Sequence, residues 1–318
     1  MEKILVIGSS GQLGSELTIE LSNVYGESNI ISADIHHPQN HEVHPVFKKL
    51  DVIDKKLLGE IVRKYKITQI YHLAAILSAT GEKQPGLAWR VNIDGLMNVL
   101  DVSRDLKVKK VYWPSSIAVF GPHTPKINTP QNTVTDPNTV YGISKLTGER
   151  LVEYYYYHYG LDVRSLRYPG LIGYKTLPGG GTTDYAVDIF HKAIKGEKFT
   201  CFLNRDTVLP MMYMPDAVKA TMEIMESDSD RISVRSSYNI AAISFSPSEI
   251  SDHVKKIYPD FKIEYMPDFR QEIAESWPNS IDDSQARNDW SWKHNYDLEK
   301  MTEDMVLHLK DSELLILQ

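Results

Sequence analysis

The stretch Ile4-Leu5-Val6-Ile7-Gly8-Ser9-Ser10-Gly11-Gln12-Leu13-Gly14 decides the fold class. Four aliphatic residues in a row, ended by a glycine, read as a strand buried on both faces. The glycines that follow are spaced G-x-x-G-x-x-G, and an amphipathic helical stretch over 12–22 comes next. Glycine lets the chain turn tightly and lets its main chain approach a bulky anion. The helix behind it offers free N–H groups and the positive end of its dipole. Three glycines alone also suit a plain turn. With a strand before and a helix after, they predict a cradle for the pyrophosphate of a dinucleotide, built from Gly8, Ser10, Gly11, Gln12, Leu13 and Gly14. Asp34 closes the next apolar run, about twenty residues beyond Gly14. A carboxylate there accepts hydrogen bonds from both ribose hydroxyls and repels a 2′-phosphate, so the expected cofactor is NAD rather than NADP. Asp51 and Val52, after the third run, are placed at the adenine edge.

Outward from this motif, short apolar runs alternate with longer amphipathic ones. Strands are expected over 4–7, 29–33, 46–50, 69–74, 110–114 and 162–168, and helices over 12–22, 55–64, 95–106 and 141–159. Such alternation implies right-handed crossovers and an α/β fold of the Rossmann type, a doubly wound parallel sheet. After residue 169 the pattern loosens, and 177–183 contains three consecutive glycines. The expected organisation is an NAD-binding domain over 1–169, re-entered by the chain around 205–245, and a smaller mixed substrate lobe in the C-terminal part of 170–318.

Composition narrows the function classes. The chain has 318 residues, 42% of them hydrophobic, with a net charge of −7. That balance is that of a globular protein and points to neither nucleic acid nor an anionic membrane. Cys201 is the sole cysteine, which excludes an internal disulfide and a cysteine-rich zinc site. No apolar signal core follows Met1-Glu2-Lys3 and no run is long enough to span a bilayer, so a reducing, cytoplasmic setting is expected and no metal is called for.

Tyr141-Gly-Ile-Ser-Lys145 places a phenol and an ammonium on one face of a helix. Tyrosine is a poor base with its ordinary pKa near 10, and an adjacent cation is expected to favour the phenolate. Ser115-Ser116 ends the fifth apolar run, where a hydroxyl can bridge a reacting oxygen to Tyr141. Tyr-x-x-x-Lys alone is common on surface helices. Joined to the nucleotide loop and a strand-end serine, it reads as a catalytic set.

Gly8/Gly11/Gly14, Asp34, His72-Leu-Ala-Ala75, Asn92, Ser115-Ser116, Val119-Phe-Gly121, Pro137, Tyr141/Lys145 and Arg167-Tyr-Pro169 resemble the extended short-chain dehydrogenase/reductase pattern over essentially the whole chain. The resemblance implies a Ser–Tyr–Lys catalytic set of Ser116, Tyr141 and Lys145, with Ser115 as the fallback for Ser116. It also implies cofactor contacts at Leu73, Ala74, Ala75, Asn92 and Tyr168, and pairing of the two long helices 95–106 and 141–159 in a homodimer. Within that family, the run from Leu171 to Tyr185 with its Gly-Gly-Gly-Thr-Thr-Asp-Tyr, the stretch Ala75-Ile-Leu-Ser-Ala-Thr-Gly81, and Trp277-Pro278 followed by Asp282-Asp283-Ser284 look like the short-chain-type L-threonine 3-dehydrogenases. The implied reaction is oxidation of L-threonine by NAD⁺ to 2-amino-3-oxobutanoate. Ser78, Gly180 and Thr182 would then hold the substrate carboxylate, beside Ser115, Ser116 and Tyr141. Asp216 and Trp277 are read as structural. The family also holds sugar-nucleotide epimerases and dehydratases, which form the alternative. A non-catalytic NAD sensor would have no need of the Ser–Tyr–Lys set.

Overall fold

The computed structural model describes residues 2–38, 46–177, 179 and 181–316, with side chains as far as 310. Five strands open the chain: β1 (Ile4–Ile7), β2 (Ile30–Asp34), β3 (Phe47–Lys49), β4 (Gln69–His72) and β5 (Lys110–Tyr112). Then come β6 (Ser115–Ser116), β7 (Asp162–Arg164), β8 (Leu166–Tyr168) and β9 (Gly170–Ile172). The C-terminal part adds β10 (Phe199–Cys201), β11 (Leu209–Tyr213), β12 (Tyr238–Asn239), β13 (Ile243–Phe245) and β14 (Ile263–Tyr265). A six-stranded parallel sheet runs in the order β3-β2-β1-β4-β5-β7. The order reverses at β1 and β4, the crevice where open α/β sheets bind ligands. This is the Rossmann-type sheet expected, and smaller sheets accompany it.

The apolar runs form strands here because both faces are covered. Leu5, Ile7, Ile31 and Ile70 pack under the helices Lys55–Tyr65 and Gly95–Asp105. Ile4, Val6 and Ile30 pack on the other face with Leu17 of the helix Gln12–Tyr25 and Ala217 and Ile224 of the helix Met214–Glu226. A third cluster joins Ile117–Phe120, the helix Tyr185–Ile194, Phe245 and Met301 of the C-terminal helix Leu298–Ile316.

The run 162–168 departs from the expectation of one strand. It breaks at Ser165, so that β7 pairs with β5 while β8 pairs with β6 and β12 in a separate sheet. Arg164 stands just before the break. Its buried guanidinium bonds the Asp162 carboxylate and the carbonyls of Ile224 and Ser227, closing the C-terminus of the helix Met214–Glu226. Both halves alternate apolar and charged residues, Asp162-Val163-Arg164 and Leu166-Arg167-Tyr168, so the change of sheet leaves no clear mark in the pattern. β4 ends at His72 and β5 at Tyr112, each two residues short of the expected ends. The short helices Ser78–Lys83 and Pro85–Trp89, with the wider π-helical turn Arg90–Asp94, were not anticipated. Among the described residues no helix is long and apolar enough to cross a membrane.

Candidate active site

A cleft of about 400 Å³ opens at the C-terminal ends of the central strands. At one end lies the glycine loop. Gly8 has φ +86°, and a Cβ there would stand 2.6 Å from the amide nitrogen of Ala74. A Cβ on Gly14 would stand 2.0 Å from the Gly8 carbonyl oxygen. Only glycine allows the first turn of the helix to press on the strand end in this way. Gly11 opens the helix Gln12–Tyr25 without a side chain to cap it. Asp34 sits at the end of β2, accepting from the Ser10 and His36 amides at 3.0 Å each. The Ser10 hydroxyl donates to the His36 carbonyl. A Cβ-free floor, an uncapped helix start and a carboxylate at the end of β2 are the features a pyrophosphate and an adenosine ribose need. The residues present therefore fit NAD.

Of the other positions expected at the cofactor, Gln12, Leu13, Leu73, Ala75 and Tyr168 line the cleft. Ala74 contributes its backbone beneath Gly8. The Tyr168 hydroxyl is held by those of Tyr112 and Thr221. Asn92 lies behind the cleft wall, on the π-helical turn, its side chain bonding both backbone groups of Ile76 and the Ser144 hydroxyl. Asp51 and Val52 stand apart from the cleft lining. The Asp51 carboxylate caps the Ile53 amide, and Val52 is buried against Gly95.

At the centre, β6 separates the two serines. Neighbours on a strand point to opposite faces. The Ser115 hydroxyl donates to Glu149 Oε1 at 2.7 Å, away from Tyr141. Ser116 and Tyr141 line the cleft together, and the Ser116 hydroxyl accepts from the Ala118 amide at 3.2 Å. Thr139 caps the helix Val140–Tyr159 through the Gly142 amide, and a Cβ on Gly148 would stand 2.3 Å from the Trp113 ring, so the helix seats directly on the β5–β6 segment. That seating brings Lys145 Nζ to the Pro114 carbonyl at 2.6 Å and to 5.5 Å from the Tyr141 ring centre.

The electrostatics differ from expectation. Burial pushes the Tyr141 phenol up to about 12, with the Ser116 hydrogen bond opposing. Burial pushes Lys145 down to about 7, with Glu149 opposing. The expected lowering of Tyr141 by Lys145 is overridden here, because desolvation disfavours both charged forms and the ammonium is drawn to Pro114. His72, fully buried at the end of β4, is pushed down to about 3 by burial and then by Lys145.

At the far end, Thr182 is 1% exposed and its hydroxyl lies 3.2 Å from that of Ser78. Gly181 donates to Asp184 Oδ2 at 2.8 Å, and Thr183 presses on Gly170, where a Cβ would come within 2.6 Å. Gly180 and Pro178 fall outside the described residues. Trp277, read from sequence as structural, lines the cleft. Lys126 holds it there by donating to the Ser276 and Trp277 carbonyls at 2.6 and 3.2 Å. Nothing local in the sequence marks that lysine. Asp216 is buried and accepts from the Asn295 and Tyr296 amides, a loop anchor.

The description "NAD dependent epimerase/dehydratase family" matches residues 4–241. A Staphylococcus saprophyticus protein described as an uncharacterized epimerase/dehydratase is 44% identical over 98% of each chain. Among solved structures, a partial-consensus L-threonine 3-dehydrogenase is 54% identical with a TM-score of 0.95, covering 97% of this chain and 99% of that one. The holo form of an L-threonine dehydrogenase from Cupriavidus necator is 53% identical with a TM-score of 0.94, over 96% and 99%. A monomeric L-threonine 3-dehydrogenase from a metagenome is 47% identical with a TM-score of 0.94, over 97% and 99%. With the glycine loop, the strand-end carboxylate and the cleft all in place, the chain belongs to the NAD-dependent epimerase/dehydratase family.

Proposed function

We propose that the protein oxidises L-threonine at Cβ, giving 2-amino-3-oxobutanoate. The observation that carries this reading is the hydroxyl pair Ser78–Thr182 at one end of a cleft whose centre holds Ser116, Tyr141 and Lys145. Two hydroxyls at 3.2 Å, beside backbone amides, suit a small carboxylate. The similarity to solved threonine dehydrogenases supports the same substrate. Gly8, Gly11 and Gly14 would hold the pyrophosphate and Asp34 the adenosine ribose. When bound, NAD⁺ supplies the hydride acceptor and a positive charge at the cleft centre. Tyr141, ionised, takes the proton from the Cβ hydroxyl while Ser116 orients that hydroxyl. Lys145 stabilises the phenolate and reaches the ribose beside it. The hydrophobic wall of Leu77, Leu171 and Trp277 limits water around the reacting carbon.

A sugar-nucleotide substrate is the second reading, since the family includes epimerases. Its diphosphate would need cations, and among the described lining residues Lys145 is the sole Lys or Arg. NADH formation with a panel of L-threonine, 2-hydroxy acids and nucleotide-sugars tests the proposal. No NADH from threonine, with turnover of a nucleotide-sugar, would sink it.

A homodimer through the helices Gly95–Asp105 and Val140–Tyr159 is part of the proposal. Val152 and Tyr155 turn inward, while Ile143, Tyr154 and Tyr157 stay exposed, Tyr157 at 67%. These exposed side chains support pairing, although a solved neighbour is monomeric.

A further inference from the structure

One face of the helix Val140–Tyr159 grips three consecutive residues of the segment beside it. Tyr141 lies by Ser116, both lining the cleft, and the Ser116 hydroxyl acts on its acidity. Lys145 Nζ donates to the Pro114 carbonyl at 2.6 Å. Glu149 Oε1 accepts from the Ser115 hydroxyl at 2.7 Å. Residues 141, 145 and 149 recur at helical spacing and share one face. The proposed chemistry uses the first two and leaves Glu149 without a task.

Glu149 is fully buried, at 0% exposure. Its carboxylate takes both Nε and a terminal nitrogen of Arg167, at 2.8 and 2.7 Å. Arg167 is fixed in turn by the Asn239 side chain and the Gln131 carbonyl, at 3.1 Å each. A link between this helix and β8 could be made by apolar packing without desolvating two charges. A carboxylate here does something packing cannot, which is to act on the charge one turn away. The groups facing Lys145 are the Pro114 carbonyl, the Trp113 and Tyr141 rings, His72 and Glu149. Of these Glu149 is the anion.

We infer that Glu149 is a positioning residue for the reaction: its grip on Ser115 turns Ser116 toward Tyr141, and its negative charge holds Lys145 as an ammonium. The inference rests on the proposed roles of Ser116, Tyr141 and Lys145. Losing the carboxylate loosens β6 and frees Lys145 to shed its proton, since burial already disfavours the ammonium. Arg167 neutralises Glu149, so its removal acts on Lys145 in the opposite sense or not at all.

Competitive labelling of the cofactor-free protein with acetic anhydride, with Lys145 followed by mass spectrometry across pH, reads this without turnover. Glu149→Gln is expected to lower the Lys145 midpoint by about one pH unit. Arg167→Gln is expected to leave it in place or raise it, and Glu149→Asp to restore it. In turnover, Glu149→Gln should lower kcat about tenfold with little change in KM for NAD⁺. If Glu149→Gln does not fold, the double variant Glu149→Gln/Arg167→Gln, which leaves no lone buried charge, carries the same expectation for the midpoint. A midpoint unmoved in Glu149→Gln, or equal downward shifts in Glu149→Gln and Arg167→Gln, overturns the inference. A wild-type protein that labels as expected but ignores threonine defeats the functional proposal and leaves the Glu149–Lys145 relation standing.

Discussion

The two ends of the cleft are built on different principles. The cofactor end is a matter of backbone. Gly8, Gly11 and Gly14 lie within one short segment, and two of them leave no room for a Cβ. The substrate end is a matter of side chains from distant segments. Ser78 and Thr182 are separated by 104 residues and meet at 3.2 Å through the fold alone. A backbone cradle tolerates almost no change at its own positions. A side-chain site can lose one member and keep its shape. The two ends should therefore fail differently when altered.

The largest effect is expected at the centre, which serves both ends. Tyr141→Phe should lower kcat about 1000-fold, the upper part of what one acid–base group contributes. NAD⁺ affinity should stay close to wild type, because the ring still packs. Stopped-flow kinetics beside cofactor titration checks both halves, and near-normal turnover would remove the phenol from the mechanism.

Next comes the backbone cradle. Gly14→Ala places a methyl where 2.0 Å separates it from the Gly8 carbonyl oxygen, so the loop must open. NAD⁺ affinity should fall on the order of 100-fold, about 2.7 kcal/mol, with circular dichroism unchanged. Calorimetry showing ordinary affinity would mean that the cradle is softer than its geometry.

Acidity gives a third test. Burial raises Tyr141 to about 12, so its working phenolate is the minority form at neutral pH. The deprotonated form is the active one in oxidation. The rate should therefore climb with pH, by about tenfold per unit while chemistry limits it. A flat profile between pH 7 and pH 9, in roughly the range where a raised tyrosine controls the rate, would break the assignment of the base.

The substrate end should respond more mildly. Thr182→Ala should raise KM for threonine about tenfold, the ~1–1.5 kcal/mol of one hydrogen bond, with NAD⁺ affinity unchanged. Ser78→Ala should do the same, and the double variant should fall short of the sum, because each hydroxyl orients the other. Strict additivity would show that the pair at 3.2 Å does not act as a unit. The smallest effect concerns assembly. Light scattering should give the mass of two chains, and Tyr157→Glu should shift it toward one while activity per chain changes little.

Much of the site was legible before the fold. The glycine spacing, Asp34 and Tyr141/Lys145 are local patterns, and each follows from what one segment of backbone or one helical face must do. Other features were not. Trp277 reaches the cleft because Lys126 grips carbonyls about 150 positions away, as hydrogen bonds with sequence separations of 150 and 151 show. Asp51 and Val52 follow β3, where the Asp51 carboxylate accepts from the Ile53 amide and Val52 packs against Gly95, contacts the pattern did not foretell. The break at Ser165 was hidden because both halves of 162–168 alternate apolar and charged residues in the same way.

By itself, the sequence determined the alternation of buried strands and helices that implies a parallel sheet, the dinucleotide cradle and the spacing of phenol and ammonium, since each is written in residues a few positions apart along the chain. Only the tertiary structure decided which serine faces Tyr141 and that Thr182 meets Ser78. It also decided that Tyr141 and Lys145 are both buried, so that desolvation outweighs their mutual help. Burial and long-range hydrogen bonds are properties of packed neighbours, and a linear pattern carries no record of which neighbours those will be.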